Sequence, residues 1–191
     1  SSQDVEQAVV VGNSFGGLIA RLLAAKHPHI IPAVVVINGG YVPQVPSFVK
    51  ILLRLPLIGS IISTNLAKLA TSEESLREMI HHEDIITPAF IECVQANRNG
   101  YARLMQMTAA RPLPSPDKPM VSSMILWGNE DQSVAPSEGK KLQSVLAGAN
   151  FVDIEDCGYL LQLEEPDVFE YQIKNFLAKH DPVKKSSIPG E

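Results

Sequence analysis

A run of β-branched residues that ends at a serine set among glycines constrains this chain more than any other segment. Val9-Val10-Val11 leads into Gly12-Asn13-Ser14-Phe15-Gly16-Gly17, and Phe15, Leu18, Ile19, Leu22 and Leu23 then recur at helical spacing. The pattern predicts a strand, a sharp bend with Ser14 at its tip, and a helix directly behind. A residue at such a tip has strained dihedrals, and the chain on either side passes too close for a β-carbon. Gly12 and Gly16 are therefore expected to be obligatory. The free N–H groups and positive dipole end of the helix would face whatever sits beside Ser14, with the Phe15 amide as one donor.

Two later segments read as strands that end in polar loops. Met120 to Trp127 is apolar and runs into Gly128-Asn129-Glu130-Asp131, followed by Gln132-Ser133-Val134-Ala135-Pro136 and a helix rich in Lys and Leu. Asn150-Phe151-Val152-Asp153-Ile154 alternates like a strand and leads through Glu155-Asp156-Cys157-Gly158-Tyr159 to Leu160-Leu161-Gln162-Leu163-Glu164-Glu165-Pro166-Asp167 at a helix start. With a further apolar run, strands are expected at residues 8 to 11, 33 to 37, 121 to 126 and 150 to 154.

The three segments together resemble the α/β-hydrolase superfamily: nucleophile elbow, acid loop and histidine loop, in that chain order. The resemblance covers Ala8 to Lys179 and implies an α/β fold, specifically the C-terminal part of that fold: a mostly parallel sheet flanked by helices, with an inserted helical cap. Within the superfamily, the elbow and the Asp-Cys-Gly loop are similar to pheophytinase-like and other cap-bearing esterases of hydrophobic esters. The likeness implies Ser14 as nucleophile, the Phe15 N–H in the oxyanion hole and Asp131 as the triad acid, with Glu130 as the competing carboxylate. The family histidine is replaced by Tyr159. A phenol with a reference pKa of about 10 is a poor base at neutral pH beside an imidazole at about 6.5. Loss of a triad member lowers rates by roughly 10⁴ to 10⁶.

Other imidazoles do not fill the gap in this reading. His27 and His29 belong to the far end of the elbow helix, and His180 to the charged tail. His81-His82-Glu83-Asp84 lies in the inserted segment, which in the family folds over the active site, so a borrowed histidine from there stays open. Adjacent residues on a helix point about 100° apart, which makes the run a poor metal cage and favours a solvated polar patch. No metal and no cofactor is expected. In the family about four strands precede the elbow and supply a second oxyanion donor; here the elbow arrives at residue 12, so those strands are expected to be missing, leaving one bare sheet edge.

Domain boundaries are expected at 1–41 for the elbow part of the core, 42–112 for the cap, 113–180 for the rest of the core and 181–191 for a flexible tail. The cap opens with Phe48 to Ile62, the most apolar stretch of the chain, interrupted by Lys50, Arg54, Pro56 and Gly59. That is shorter than the roughly 20 residues needed to cross a bilayer. A lid over an apolar pocket, a membrane-surface helix and a partner-binding helix all suit it. Ser72-Glu73-Glu74-Ser75 reads as a helix start, with Met79, Ile80, Ile85 and Ile86 inward, and a further helix runs from Pro88 through Met107. The prolines from 112 to 116 return the chain to the sheet.

A net charge of −5 with 45% hydrophobic residues excludes both a disordered chain and an electrostatic nucleic-acid binder. Cys93 and Cys157 lack metal spacing and fit a reduced compartment, cytoplasmic or organellar rather than secreted. Two functions follow as expectations. One is a degenerate hydrolase retained as a binding or structural subunit, with a protein partner or a peripheral membrane contact on the apolar cap helix. The alternative is a serine esterase or lipase-like hydrolase of hydrophobic carboxylic esters that acts through an acyl-enzyme on Ser14.

Overall fold

The computed structural model describes residues 6–41, 46–110, 114, 121–146 and 148–180. The proline turn at 112–116, apart from Pro114, and the tail 181–191 lie outside the described residues. The chain divides into two compact units, Ser1–Tyr41 with Ser115–Glu191, and Val42–Pro114.

The first unit is a four-stranded sheet in the order β1 (Val9–Asn13), β2 (Ala33–Ile37), β3 (Ser122–Gly128), β4 (Asn150–Ile154), every neighbouring pair parallel. Asn13 pairs with Ile37, Ile37 with Leu126, and Gly128 with Ile154. This register brings the C-terminal ends of all four strands to one edge, where parallel α/β sheets place their sites. The strands overshoot their expected ends at Asn13 and Gly128, since both residues still pair with the neighbouring strand.

Helices cover both faces, so β2 is buried along its whole length. Alternation sorts its side chains. Val34 and Val36 face Ala20 and Ala24 of α1 (Phe15–Lys26) together with Trp127, Leu142 and Leu146, the last two from α7 (Pro136–Val145) and its end. Ala33, Val35 and Ile37 face the other way, towards Cys157, Leu161 and Phe176. Leu161 belongs to the short α8 (Leu161–Glu164) and Phe176 to α9 (Pro166–His180). α1 is turned differently from its apolar spacing: Ile19 and Leu23 are exposed while Gly17, Leu18, Ala20, Arg21 and Ala24 are buried. Small residues let α1 lie close on the sheet, and Gly17 marks the closest approach, because a β-carbon there would stand 2.8 Å from Val36 Cγ1.

The second unit is helical: α2 (Ser47–Arg54), α3 (Pro56–Ala70), α4 (Glu73–Met79), a 3₁₀ turn at Glu83–Ile85, α5 (Pro88–Ala96) and α6 (Arg98–Ala110). The apolar stretch expected from 48 to 62 is two helices rather than one, because Pro56 cannot donate into the preceding turn and instead opens α3. The helix expected from Pro88 to Met107 also breaks, at Asn97, the C-cap of α5. Ser72 caps α4 by accepting from Ser75 N at 3.2 Å, and Leu76, Ile80 and Ile86 are buried, whereas Met79 and Ile85 are half-buried. His81 and His82 lie between α4 and the 3₁₀ turn rather than on a helix, with ring centroids 5.5 Å apart. The helical 100° separation therefore does not describe them. No single helix among the described residues is long and apolar enough to cross a membrane.

Candidate active site

Ser14 is the one residue between β1 and α1, and its backbone has φ 53° and ψ −117°. A β-branched or bulky residue is strongly disfavoured there, and the strain persists only because neighbours fix it from several sides. Ser14 N donates to Ile37 O at 2.8 Å, while Ser14 O accepts from Gly17 N at 3.0 Å and from Gly40 N at 2.9 Å. The loop after β2 thus buttresses the bend. Gly39, at φ 157°, would place a β-carbon 2.5 Å from Ser14 Cα. The buried Arg21 guanidinium donates to Gly40 O and anchors that loop from α1.

The glycine argument holds for one flank of the bend and fails for the other. A β-carbon on Gly12 would lie 2.2 Å from Gly16 O, so Gly12 is obligatory. One on Gly16 meets nothing within 4 Å, since Gly16 presents its backbone to Gly12 and its open side to solvent. Phe15 is the first residue of α1, so its N–H is one of the donors that have no acceptor within the helix. The Ser14 hydroxyl makes no hydrogen bond among the described residues.

Asp131 lies past the end of β3 and is buried, at 3% exposure. Its Oδ1 accepts from Ser133 N at 2.8 Å and Val134 N at 2.9 Å, an arrangement that closes the turn ahead of α7. Its Oδ2 accepts from Asn38 Nδ2 at 2.8 Å. Burial raises the carboxyl above its ordinary value, opposed by the Val134 N–H, the Asn38 amide and the Ser133 N–H, in that order. The competing carboxylate, Glu130, is exposed, and its N–H donates to Cys157 O at 2.9 Å.

Asn38 went unnoticed in the sequence. It is fully buried at φ 40°, donates to Asp131 Oδ2 and to Gly158 O at 3.0 Å, and accepts from Gly128 N at 3.3 Å. One side chain thereby ties the ends of β2 and β3 to the loop after β4. The signal available was Asn38-Gly39-Gly40, three residues in a row that tolerate positive φ, placed directly after a buried strand.

Tyr159 is half-buried in the loop after β4, and its carbonyl accepts a long hydrogen bond, 3.4 Å, from Asn13 Nδ2 beside the bend. Glu164 clamps this loop. Its buried carboxylate accepts from Gly158 N at 3.0 Å and Leu160 N at 2.8 Å, the two amides that flank Tyr159. Gly128 lets the loop after β3 lie against it, because a β-carbon there would meet Gly158 O at 2.2 Å. The structure therefore brings the backbones of residues 13–15, 38–40, 128–131 and 157–160 to one end of the sheet. Cys157 is buried on the opposite side of its loop, in the core with Leu161, and burial pushes its thiol up to about 12.

Comparisons with known proteins agree with this architecture. Residues 2–170 match the model of the alpha/beta hydrolase family. A 2-hydroxy-6-oxononadienedioate/2-hydroxy-6-oxononatrienedioate hydrolase of Escherichia coli K12 is 25% identical over 92% of this chain, which spans 64% of that protein's length. An esterase from Thermogutta terrifontis superposes with TM-score 0.67 at 19% identity, covering 91% of this chain and 65% of that one. The 2-hydroxy-6-oxo-6-phenylhexa-2,4-dienoate hydrolase of Rhodococcus sp. strain RHA1 gives 0.64 at 20%, covering 90% and 64%. A bend strained at Ser14, a parallel sheet covered on both faces and a family match over most of the sequence lead to one statement: this chain belongs to the alpha/beta hydrolase family.

Proposed function

We propose that this chain carries the acyl-transfer half of a serine hydrolase and acts on carboxylic esters through an acyl-enzyme on Ser14. The observation that carries the reading is the Ser14 backbone, held at φ 53° and ψ −117° at the head of α1 and braced by Gly12, Gly39 and Gly40. That geometry costs on the order of 1–3 kcal/mol and presents a hydroxyl beside helix N–H groups, which has no packing benefit of its own. Family membership and a hydrolase relative at 25% identity point the same way.

In this reading Ser14 Oγ attacks the acyl carbon, and the oxyanion accepts from the Phe15 N–H. The alcohol leaves with a proton from water, and a second water releases the acid. Asp131 takes the acid position of the triad, and Tyr159 stands where an imidazole would take the serine proton. With no imidazole at that position, the proton passes to hydroxide and turnover is slow at neutral pH. Tyr159 also favours a second reading, in which the fold persists as a binding subunit with Ser14 silent.

Labelling with a fluorophosphonate probe and hydrolysis of 4-nitrophenyl acetate separate the two. Ser14-dependent labelling and a rate that Ser14→Ala abolishes are expected. If the natural chain and Ser14→Ala neither label nor differ in rate, the hydrolase reading is wrong and the binding reading stands.

A further inference from the structure

We propose that α2 and α3 form a docking face for anionic phospholipid bilayers and lie in the headgroup layer. This inference does not depend on Ser14 being active. Each helix already has a packing face: Leu53 in α2 and Gly59, Ser63 and Ala67 in α3 are buried within the helical unit. A β-carbon on Gly59 would stand 2.2 Å from Leu53 O, so the two helices meet closely at their junction. A second apolar face is left over. In α2 and just beyond it, Phe48, Ile51, Leu52 and Leu55 follow one another at i, i+3, i+4 and i+7, all exposed. In α3, Leu57 is 81% exposed, Ile61 63% and Leu69 64%, with Ile58 and Leu66 also open. Isolated exposed leucines are ordinary, but nine large apolar side chains within 22 residues are a patch that marks an interaction surface.

Charge decides what the surface fits. The chain is acidic overall, yet no Asp or Glu occurs between Gln7 and Ser72, and α2 and α3 carry Lys50, Arg54 and Lys68. Lys68 is exposed on α3, Arg54 is exposed while its Nε donates to Ala109 O at 2.9 Å, and Lys50 is half-buried. A segment with cations and no anions matches an anionic bilayer, where each basic residue near the surface adds to the attraction. A second copy of the chain would set the same three cations against themselves across a two-fold contact, which works against self-association. Neither helix is long enough to span alone: at 1.5 Å per residue α2 is about 12 Å long and α3 about 22 Å, both short of a hydrocarbon core of about 30 Å. Together they have the length and composition of a span, but the pair is bent by 116° at Leu55–Pro56, which sets the two axes across one another rather than along a bilayer normal. Two short, sharply bent apolar helices with an exposed apolar side suit the interface, with lysine stems reaching to the headgroups.

The test is co-sedimentation of the full chain with vesicles of phosphatidylcholine containing about one-third phosphatidylserine, beside pure phosphatidylcholine. Binding to the anionic vesicles is expected, weakened by salt and by loss of phosphatidylserine. Leu57→Ser with Ile61→Ser should weaken it about 100-fold, and Lys50→Gln or Lys68→Gln roughly fivefold each. Phe48→Trp supplies a reporter that needs no loss of surface: its emission should shift to the blue on anionic vesicles. The proposal is overturned if the natural chain stays in the supernatant, if the Leu57/Ile61 variant binds as well as the natural chain, or if the Phe48→Trp emission does not move. A dimer that the same double variant dissolves, without vesicle binding, would assign the face to self-association instead.

Discussion

The loops after β3 and β4 are built alike and filled differently. Asp131 is buried and meets three donors, while the neighbouring loop is clamped by Glu164 on both sides of residue 159 and presents a tyrosine there. Asn38 joins the two by contacting Asp131 Oδ2 and Gly158 O. The two loops are therefore tied to one another through the Asn38 side-chain amide, and in the proposed reading they hold the acid at 131 and a tyrosine where a base would stand. The side chains of Glu164, Asn13 and Asn38 bond to main-chain N–H and C=O groups of residues 158–160, and those bonds do not depend on which side chain stands at 159.

The strongest way to break that comparison is to change residue 159 alone. Tyr159→His should raise Ser14-dependent ester hydrolysis by about 10³-fold or more, the scale on which a missing triad base depresses rate. Steady-state assays of Tyr159→His with and without Ser14→Ala measure it. Tyr159→Phe should leave the residual rate unchanged; a rate that disappears with the phenol would show Tyr159 acting as the base and would end the idea of an empty slot.

Next in size is the side chain the two loops share. Asn38→Leu removes donors to Asp131 Oδ2 and Gly158 O and an acceptor for Gly128 N, and it places a branched residue at φ 40°. Unfolding in urea should show a loss of about 3 kcal/mol at neutral pH. The pH dependence carries a sign that can be checked. Burial already raises the Asp131 carboxyl, so its ionisation opposes folding: stability is fullest below the ordinary carboxylate value and falls as pH rises through the raised one. Without Asn38 the ionised form loses a partner, so the deficit of Asn38→Leu should be smaller near pH 4 than near pH 7. An equal deficit at both would mean that Asn38 serves packing rather than the carboxylate.

Much of this was legible in the sequence, for physical reasons that differ by element. The central strands could be read because β2 is buried along its whole length and β3 from Ser123 onward, so Ala33–Ile37 and the stretch 124–127 are unbroken apolar runs. The bend at Ser14 could be read because Gly12 faces Gly16 O at a distance no side chain tolerates. Gly16 misled because the same contact is one-sided. In the helical unit, apolar spacing recorded which residues are hydrophobic but not which face is packed: Leu53 is buried and Leu57 is almost fully exposed within one apolar run. Asn38 and Glu164 were hidden because they bond to main-chain atoms, far along the chain for Asn38 and within one loop for Glu164, and a main-chain partner is not marked by residue type. In α1 as well, helical spacing does not say which face is packed: Ile19 and Leu23 are exposed, while buried Arg21 holds Gly40 O.

A smaller effect sharpens the other half of the comparison. Glu164→Gln keeps one carbonyl oxygen for Gly158 N or Leu160 N but not both, since the new amide nitrogen is a donor facing a donor. The expected cost is about 1–2 kcal/mol, by the same urea titration. The informative readout is local: exchange protection of the Gly158 and Leu160 amides should fall while that of β2 stays. If β2 loosens equally, the clamp is part of the global core and the loop has no independent support.

The smallest effect asks whether the loop stays closed in solution. Cys157 sits between Asp156 and Gly158 with a fully buried side chain, while Cys93 on α5 is exposed. Burial first, then the nearby carboxylates led by Glu164, push the Cys157 thiol up to about 12. It is therefore a neutral thiol at pH 8, and a raised value means its contribution to stability is lost only as pH climbs past the ordinary thiol range towards 12. A thiol-reactive dye at pH 8 should modify Cys93 quickly and Cys157 only with unfolding. In Glu164→Gln the loop opens more often, so Cys157 labelling should speed up by roughly tenfold, the factor that corresponds to about 1.4 kcal/mol of lost local closure. Unchanged labelling in that variant would mean the Cys157 side of the loop is held by its core contacts with Leu161 and Phe176, leaving the Glu164 clamp to fix only the two amides beside residue 159.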